Sequence, residues 1–428
     1  ITVAGEYGES SDDFTTAFRL AQGSVGIFGT RPPADPYDTN TPDDQFTDME
    51  SWGLTLTAEF DLDWATLTSI TGARRNENHS GFDADTGPAK FAGNDLAYIE
   101  LEDSSQSFQQ EIRLASESDG RLSWQTGVFL LSTEAELDPQ TSTGFAFVSN
   151  PDPRAGGENS VFSTLDTTSY AAFGEVSYDL TASTILTAGV RYTHDKLEFE
   201  AEQVPIGANR RPALFVDDSV TAEEPTYRLA LQQDISENVN LYASYNRGFK
   251  SGTYSMSSIL VEPVEPQKID AYEVGMKSQL LEDRLRLNLA AFRYEISEYQ
   301  VRSATGGSPT AILLNAAEVE IDGLELEFEA APADNLRLFG AVTWLDAEFA
   351  DFPYAPFTYP RPAVCTPGGS APGMSTGSPT GGLTTCIGSG DGNETPLAPE
   401  YAGNLGATYT LAMGSAGEMD FSVLYTYN

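Results

Sequence analysis

Positive charge is scarce in this sequence: 23 Lys and Arg stand against 64 Asp and Glu in 428 residues, a formal net charge of -41. Nucleic acid is thereby excluded as a partner, because binding it requires clustered Lys and Arg to displace counterions. Histidine occurs only at His79 and His194, far apart and without ligand spacing, so both read as ordinary polar residues. Cysteine is equally rare, at Cys365 and Cys386, inside one Gly/Pro/Ser/Thr-rich stretch. No CxxC pattern and no neighbouring His accompany the pair, which argues against metal and for a local disulfide in an oxidising compartment. No apolar run approaches the roughly 20 residues of a spanning helix. Membrane-crossing strands stay open, since these alternate and never produce such a run. A Gly-x-Ser-x-Gly elbow, a His-Glu-x-x-His pair and a Gly-rich phosphate loop are also missing. No catalytic residue, metal or cofactor is expected, and the chain does not read as an enzyme.

What the sequence does have is alternation. Trp52, Leu54, Leu56, Ala58 and Phe60 interleave with Gly53, Thr55, Thr57, Glu59 and Asp61. Leu324, Leu326 and Phe328 alternate with Glu325, Glu327 and Glu329, and Met419, Phe421, Val423, Tyr425 and Tyr427 with Asp420, Ser422 and Thr426. A period of two puts alternate side chains on opposite faces of a strand, whereas a helix needs spacings of three and four. One segment changes phase: Leu285, Leu287 and Leu289 share a face, while Phe292, Tyr294 and Ile296 fall on the other. A β-bulge near Ala290 or Ala291 is the expected cause.

The connections alternate too. Short links fall at 61–64, 117–120, 181–183, 236–238, 282–283, 331–335 and 414–418. Long polar segments fall at 80–94, 138–160, 202–219, 251–265 and 351–396, with a shorter one at 303–309. Short turns at one end and long loops at the other are the pattern of an outer-membrane barrel. The fold class expected is therefore all-β, a transmembrane antiparallel β-barrel of the outer-membrane type. About fifteen strands are counted, the first around Ile1 to Tyr7. Trp52, Trp64, Trp124, Tyr178, Trp344 and Tyr427 are expected in interfacial girdles. Ile1 and Asn428 both fall in mid-pattern and the count is odd, so further strands are expected on both sides.

Several segments resemble the barrel of TonB-dependent receptors, particularly the branch of sphingomonads and their relatives. SFQQEIRLAS (107–116), LYASYNRGFKSGTYS (241–255) and VEPQKIDAYEVGMKSQLLEDRLRLNLAAFRYEISEYQV (264–301) occur in the family's order. LLNAAEVEIDGLELEFEAAPADNLRLFGAVTWLDAEF (313–349) and PLAPEYAGNLGATYTL (396–411) follow. The resemblance implies a barrel of about 22 strands around a folded plug. Residues 1–428 then form one partial barrel domain, in which neither the plug nor the last strands are recognisable. It further implies an outer-membrane receptor of a Gram-negative bacterium that imports a scarce nutrient, ferric siderophore being the family default. Its partners would be outer-membrane lipid and lipopolysaccharide, the TonB-ExbB-ExbD complex acting through the plug, and a small-molecule ligand. A plug-free porin or substrate-specific channel, or a barrel serving as scaffold or adhesin, are the alternatives.

Within the longest loop, FPYAPFTYPRP (352–362) places four aromatics and one Arg in eleven residues. Tyr354, Phe357, Tyr359 and Arg361 are the candidate ligand contacts, with packing of the loop on itself as the competing reading. Cys365 and Cys386 are expected to be disulfide-bonded on the extracellular side.

Overall fold

The computed structural model describes residues 1–12, 31, 33–35, 38, 45–83, 90–91, 94–95, 98–117, 120–143, 157–207, 212–257, 259, 262–303, 312–360 and 383–428. Its strands are β1 (Thr2–Asp12), β2 (Phe46–Asp61), β3 (Ala65–Asp83), β4 (Lys90–Phe91), β5 (Asn94–Asp95), β6 (Tyr98–Ser116), β7 (Leu122–Thr143) and β8 (Gly157–Thr181). They continue with β9 (Thr184–Gly207), β10 (Leu214–Ser236), β11 (Val239–Lys250), β12 (Gln267–Leu280), β13 (Leu285–Ser303) and β14 (Ile312–Ala333). The last are β15 (Leu336–Asp351), β16 (Ala355–Pro360), β17 (Leu383–Gly388), β18 (Tyr401–Ala412) and β19 (Glu418–Tyr427).

Fifteen of these make one sheet in the order β1-β2-β3-β6-β7-β8-β9-β10-β11-β12-β13-β14-β15-β18-β19, while β4–β5 and β16–β17 are separate hairpins. Every pairing is antiparallel, and the wall follows chain order as a meander does, with the hairpins β4–β5 and β16–β17 inserted between β3 and β6 and between β15 and β18. Tight turns close one end and the long connections rise from the other. Strands reach further into those connections than the sequence suggests: β9 runs to Gly207 and β10 starts at Leu214.

A membrane-spanning barrel strand needs roughly 9–11 residues. β8, β9 and β10 have 25, 24 and 23, so they pass well beyond the lipid and build a crown. β11 and β12, with 12 and 14 residues, leave that wall low.

Below the crown the outer face is an apolar belt. One row of cross-strand partners runs Tyr178, Leu186, Leu231, Ala243, Val274, Ala291, Leu324, Trp344 and Tyr401. The opposite face of those strands is polar, with Glu175, Arg228, Glu273, Glu325 and Glu327 lining the lumen. Tyr227, Tyr245 and Tyr272 adjoin along the upper edge of the belt, their rings 6.4 and 5.1 Å apart. Trp64 and Trp124 meet at 6.2 Å near the turn end. These are girdle positions, where amphipathic rings sit at the headgroup level.

Above the belt the polarity of the long strands β9, β13 and β14 inverts. On β9 the outer face changes from Leu186, Val190 and Tyr192 to Lys196, Glu198 and Glu200, while the inner face becomes Leu197, Phe199 and Ala201, all buried. β14 changes likewise, with Glu320 and Asp322 outside and Val319 buried inside. This inversion explains the phase change in β13 and corrects the expected bulge. The β12–β13 ladder runs unbroken from Leu280↔Leu285 to Lys268↔Ser297, through Ala290 and Ala291. Leu287 and Leu289 face lipid, Arg293 and Glu295 face water on the same side, and Phe292 and Tyr294 stack inside at 4.8 Å. A real irregularity lies higher, between Ile296 and Gln300, where Glu298 takes a left-handed φ of 54°.

Candidate functional site

The long-loop end of the lumen is walled by two inward-packed structures. The first is the connection 251–266, which leaves the low wall and folds onto the inner face of the high one. Gly252 fits directly under the Val264 carbonyl, a spacing that any Cβ would violate. Thr253 and Val264 then bond backbone to backbone at 2.9 and 3.3 Å. Tyr254 stacks on Phe199 at 4.7 Å and donates to Asp218 at 3.0 Å. Burial first, and that hydrogen bond second, push the Tyr254 phenol up to about 12. Ile259 completes a core with Leu137, Val161, Leu165 and Leu197.

The root of this strap is pinned by side chains. Gln300 donates to the carbonyls of Ser251 and Glu265, both at 3.0 Å. Asn315 accepts from the Glu265 amide at 2.6 Å and donates to the Glu298 carbonyl at 2.8 Å. Ser251 donates to Asp195, a buried carboxylate on the inner wall, at 2.5 Å.

The second structure is the connection 352–400, whose described parts are the β16–β17 hairpin and its flanks. Phe352 is buried with Ile296, Val319, Phe349 and Ala355. Its amide donates to Asp391 at 2.7 Å, and this bond, with the Ser389 hydroxyl, holds the Asp391 carboxyl below its ordinary range. The return segment lies along β15 through Phe349 to Asn393 and Thr395 to Ala347 backbone bonds.

The candidate contacts separate on this scaffold. Tyr354 is 68% exposed at the base of the hairpin, just before β16. Phe357 packs against the buried cluster that holds Phe352. Tyr359 pairs by backbone with Thr384, and Arg361 and Cys365 lie outside the described residues. Cys386, on β17 opposite Phe357, is disulfide-bonded.

Lower in the lumen the wall offers polar and aromatic groups together. Tyr242 donates to Glu273 at 2.6 Å with the Lys277 ammonium 5.6 Å from its ring. Arg191 lies 5.1 and 5.7 Å from the Phe129 and Phe173 rings. These groups hold charge and hydrogen bonds in fixed places, which suits recognition, and no nucleophile–base pair occurs among them.

Among the described residues one group brings three metal-type donors together: His79, Glu100 and Glu102. It sits on the outer wall of the crown, across the strand from the lumen. The sequence hides it, because the donors come from β3 and β6 and meet only through the register of that pair.

The family profile described as "TonB dependent receptor-like, beta-barrel" matches residues 2–428. The metal-pseudopaline receptor CntO of Pseudomonas aeruginosa is 29% identical over 161 residues, 37% of this chain and 21% of that protein. A probable TonB-dependent siderophore receptor, PiuA of Acinetobacter baumannii, is 27% identical over 196 residues, 43% of this chain and 24% of that protein. The ferric yersiniabactin uptake receptor FyuA of Yersinia pestis superposes with a TM-score of 0.66 at 15% identity, covering 94% of this chain and 57% of that one. The solved PiuA structure gives 0.63 at 17% identity, covering 99% and 64%. This chain thus spans less than two thirds of each of these relatives.

Proposed function

The chain belongs to the TonB-dependent receptor β-barrel family of Gram-negative outer membranes, and on that premise we propose that the whole protein imports a small metal chelate of the siderophore class. Energy would come from the TonB-ExbB-ExbD complex acting through a plug inside the lumen. The observation that carries this reading is the family match over residues 2–428. The relatives' printed roles, reception of metal-pseudopaline and of siderophores, supply the substrate class. Lipopolysaccharide surrounds the belt in this account, its sugars level with the crown.

The ligand would dock at the long-loop end, between the strap 251–266 and the connection 352–400. Tyr354, Tyr359 and Arg361 are the side chains proposed to touch it, and Phe357 supports them from the buried cluster. Exposed rigid aromatics suit this task, because they bury much area while losing little rotamer freedom. Arg361 adds one cation on an acidic surface, where an anionic chelate needs a counter-charge. Cys365 is taken as the partner of Cys386; closing about 20 residues would lower the loop's disorder by roughly 3 kcal/mol.

Uptake of radiolabelled ferric chelates by a deletion strain carrying the full gene tests the reading. Accumulation that requires both the gene and TonB is the expected result. Entry by diffusion that persists without TonB would instead favour a porin-like channel. Tyr354→Ala probes the docking surface with little risk to the fold, since that side chain is largely free.

A further inference from the structure

Four strands present one lane of side chains on the outer wall of the crown. Ser11, Asp48, His79 and Glu102 are successive cross-strand partners on β1, β2, β3 and β6. In the neighbouring lane Phe46, Gly81 and Glu100 are partners. Gly81 has no side chain, and a Cβ there would collide with the Phe46 ring and the Tyr98 hydroxyl. The space above Gly81 is where the two lanes meet. The His79 imidazole stands edge-on to Phe46, centroids 4.8 Å apart at 75°. That contact fixes the ring with Nε2 2.8 Å from Glu100 Oε1 and 3.9 Å from Glu102 Oε1.

One donor atom from each of the three residues lies within 4.8 Å of the others. Ligands about 2 Å from a common ion stand up to roughly 4 Å apart, so modest rotamer changes would gather all three. Asp48, beside His79, is held by the Ser11 hydroxyl at 2.6 Å and supplies a further carboxylate at the rim. The concavity here, about 610 Å³, leaves room for an ion with water in its open positions.

The geometry points to a site for one divalent metal ion of the zinc class, held by His79, Glu100 and Glu102. Imidazole beside carboxylates favours borderline ions, whereas calcium and magnesium take oxygen ligands alone. The bound ion would clamp β3 to β6 on the face opposite the docking surface, and the site stands whether or not the import reading does.

His194 is a built-in control. Its Nδ1 lies 3.3 Å from Glu223 Oε1 and its ring stacks on Tyr170 at 4.6 Å, so it meets one carboxylate where His79 meets two. These 428 residues hold two imidazoles, His79 and His194, and in the full receptor each is identified by the resonance that its own Gln variant loses.

The test uses the full receptor, stripped of metal by chelator and purified in detergent, with ¹⁵N-labelled histidine. Zinc chloride is titrated in and followed by calorimetry and by imidazole ¹⁵N resonances. One ion per chain should bind, shifting His79 and leaving His194 in place. His79→Gln and Glu102→Gln should each weaken binding about tenfold or more, and His194→Gln should not. Calcium at roughly hundredfold excess should fail to displace zinc. An unmoved His79 resonance, unchanged affinity in Glu102→Gln, or displacement by equimolar calcium would each overturn the site. Heat-modifiable gel mobility verifies that the variants fold, with His79→Asn and Glu102→Ala standing in for any that do not.

Discussion

The lower and upper halves of the barrel wall share the same strands and reverse their chemistry. In the belt, β14 turns Leu324, Leu326 and Phe328 outward and Glu325, Glu327 and Glu329 inward. A few residues higher the same strand turns Glu320 and Asp322 outward and buries Val319 inside. Lipid dictates the first arrangement, because a charged side chain facing the bilayer is costly. Water dictates the second, and the inner face then becomes the only place to bury apolar surface. The loops exploit that face: the strap 251–266 packs Tyr254 onto it, and the connection 352–400 packs Phe352 and Phe357. A strand that continued one polarity through both zones could cross a membrane or carry a packed vestibule, but not both.

The largest expected effect lies in the upper core. Phe199 is 2% exposed and stacks on Tyr254. Phe199→Ala should cost about 3–5 kcal/mol of crown stability. Hydrogen exchange should then show the strap freed while the belt strands remain protected. Loss of protection in both zones together would mean that the two halves are one cooperative unit.

Next comes the belt. Leu326→Arg faces lipid between Leu289 and Val342 and should cost about 2–4 kcal/mol in urea-titrated folding into vesicles. Glu320→Arg, on the same face above the girdle, should cost far less, since it loses only an exposed pair with Arg293 worth about 0.2–1 kcal/mol. Equal damage at the two positions would erase the distinction between belt and crown.

Tyr254→Phe removes the hydroxyl that donates to Asp218 and should weaken the strap by about 1 kcal/mol. The folded phenol is raised to about 12 from an ordinary 10.0. Its contribution is therefore complete below about pH 10 and is lost as pH rises through about 12. Strap protection that falls over this interval in the parent protein should show no such step in Tyr254→Phe.

The belt was legible in the sequence because lipid imposes a strict period of two, and Leu285, Leu287 and Leu289 or Leu324, Leu326 and Phe328 announce it directly. The inversion is visible too, at Phe292, Tyr294 and Ile296, as a change of phase that a bulge would equally produce. A change of solvent along an unbroken strand and an extra residue in the strand give the same shift of pattern. The strap's packing was not legible, since Tyr254, Phe199 and Asp218 meet only once several strands have taken their register. Phe352, one of four aromatics in a polar loop by sequence, is buried for the same reason. His79 and Glu102, 23 positions apart, become neighbours through one pairing of β3 with β6.

The inversion itself is tested most directly by nitroxide labels placed singly along β13 and read by collisional relaxation in vesicles. Labels at 287 and 289 should meet oxygen dissolved in lipid, those at 293 and 295 a water-soluble nickel complex, and those at 292 and 294 neither. Oxygen contact at 292 and 294, with 293 and 295 protected, would mean that the strand bulges at Ala290 or Ala291 and that its polarity never inverts.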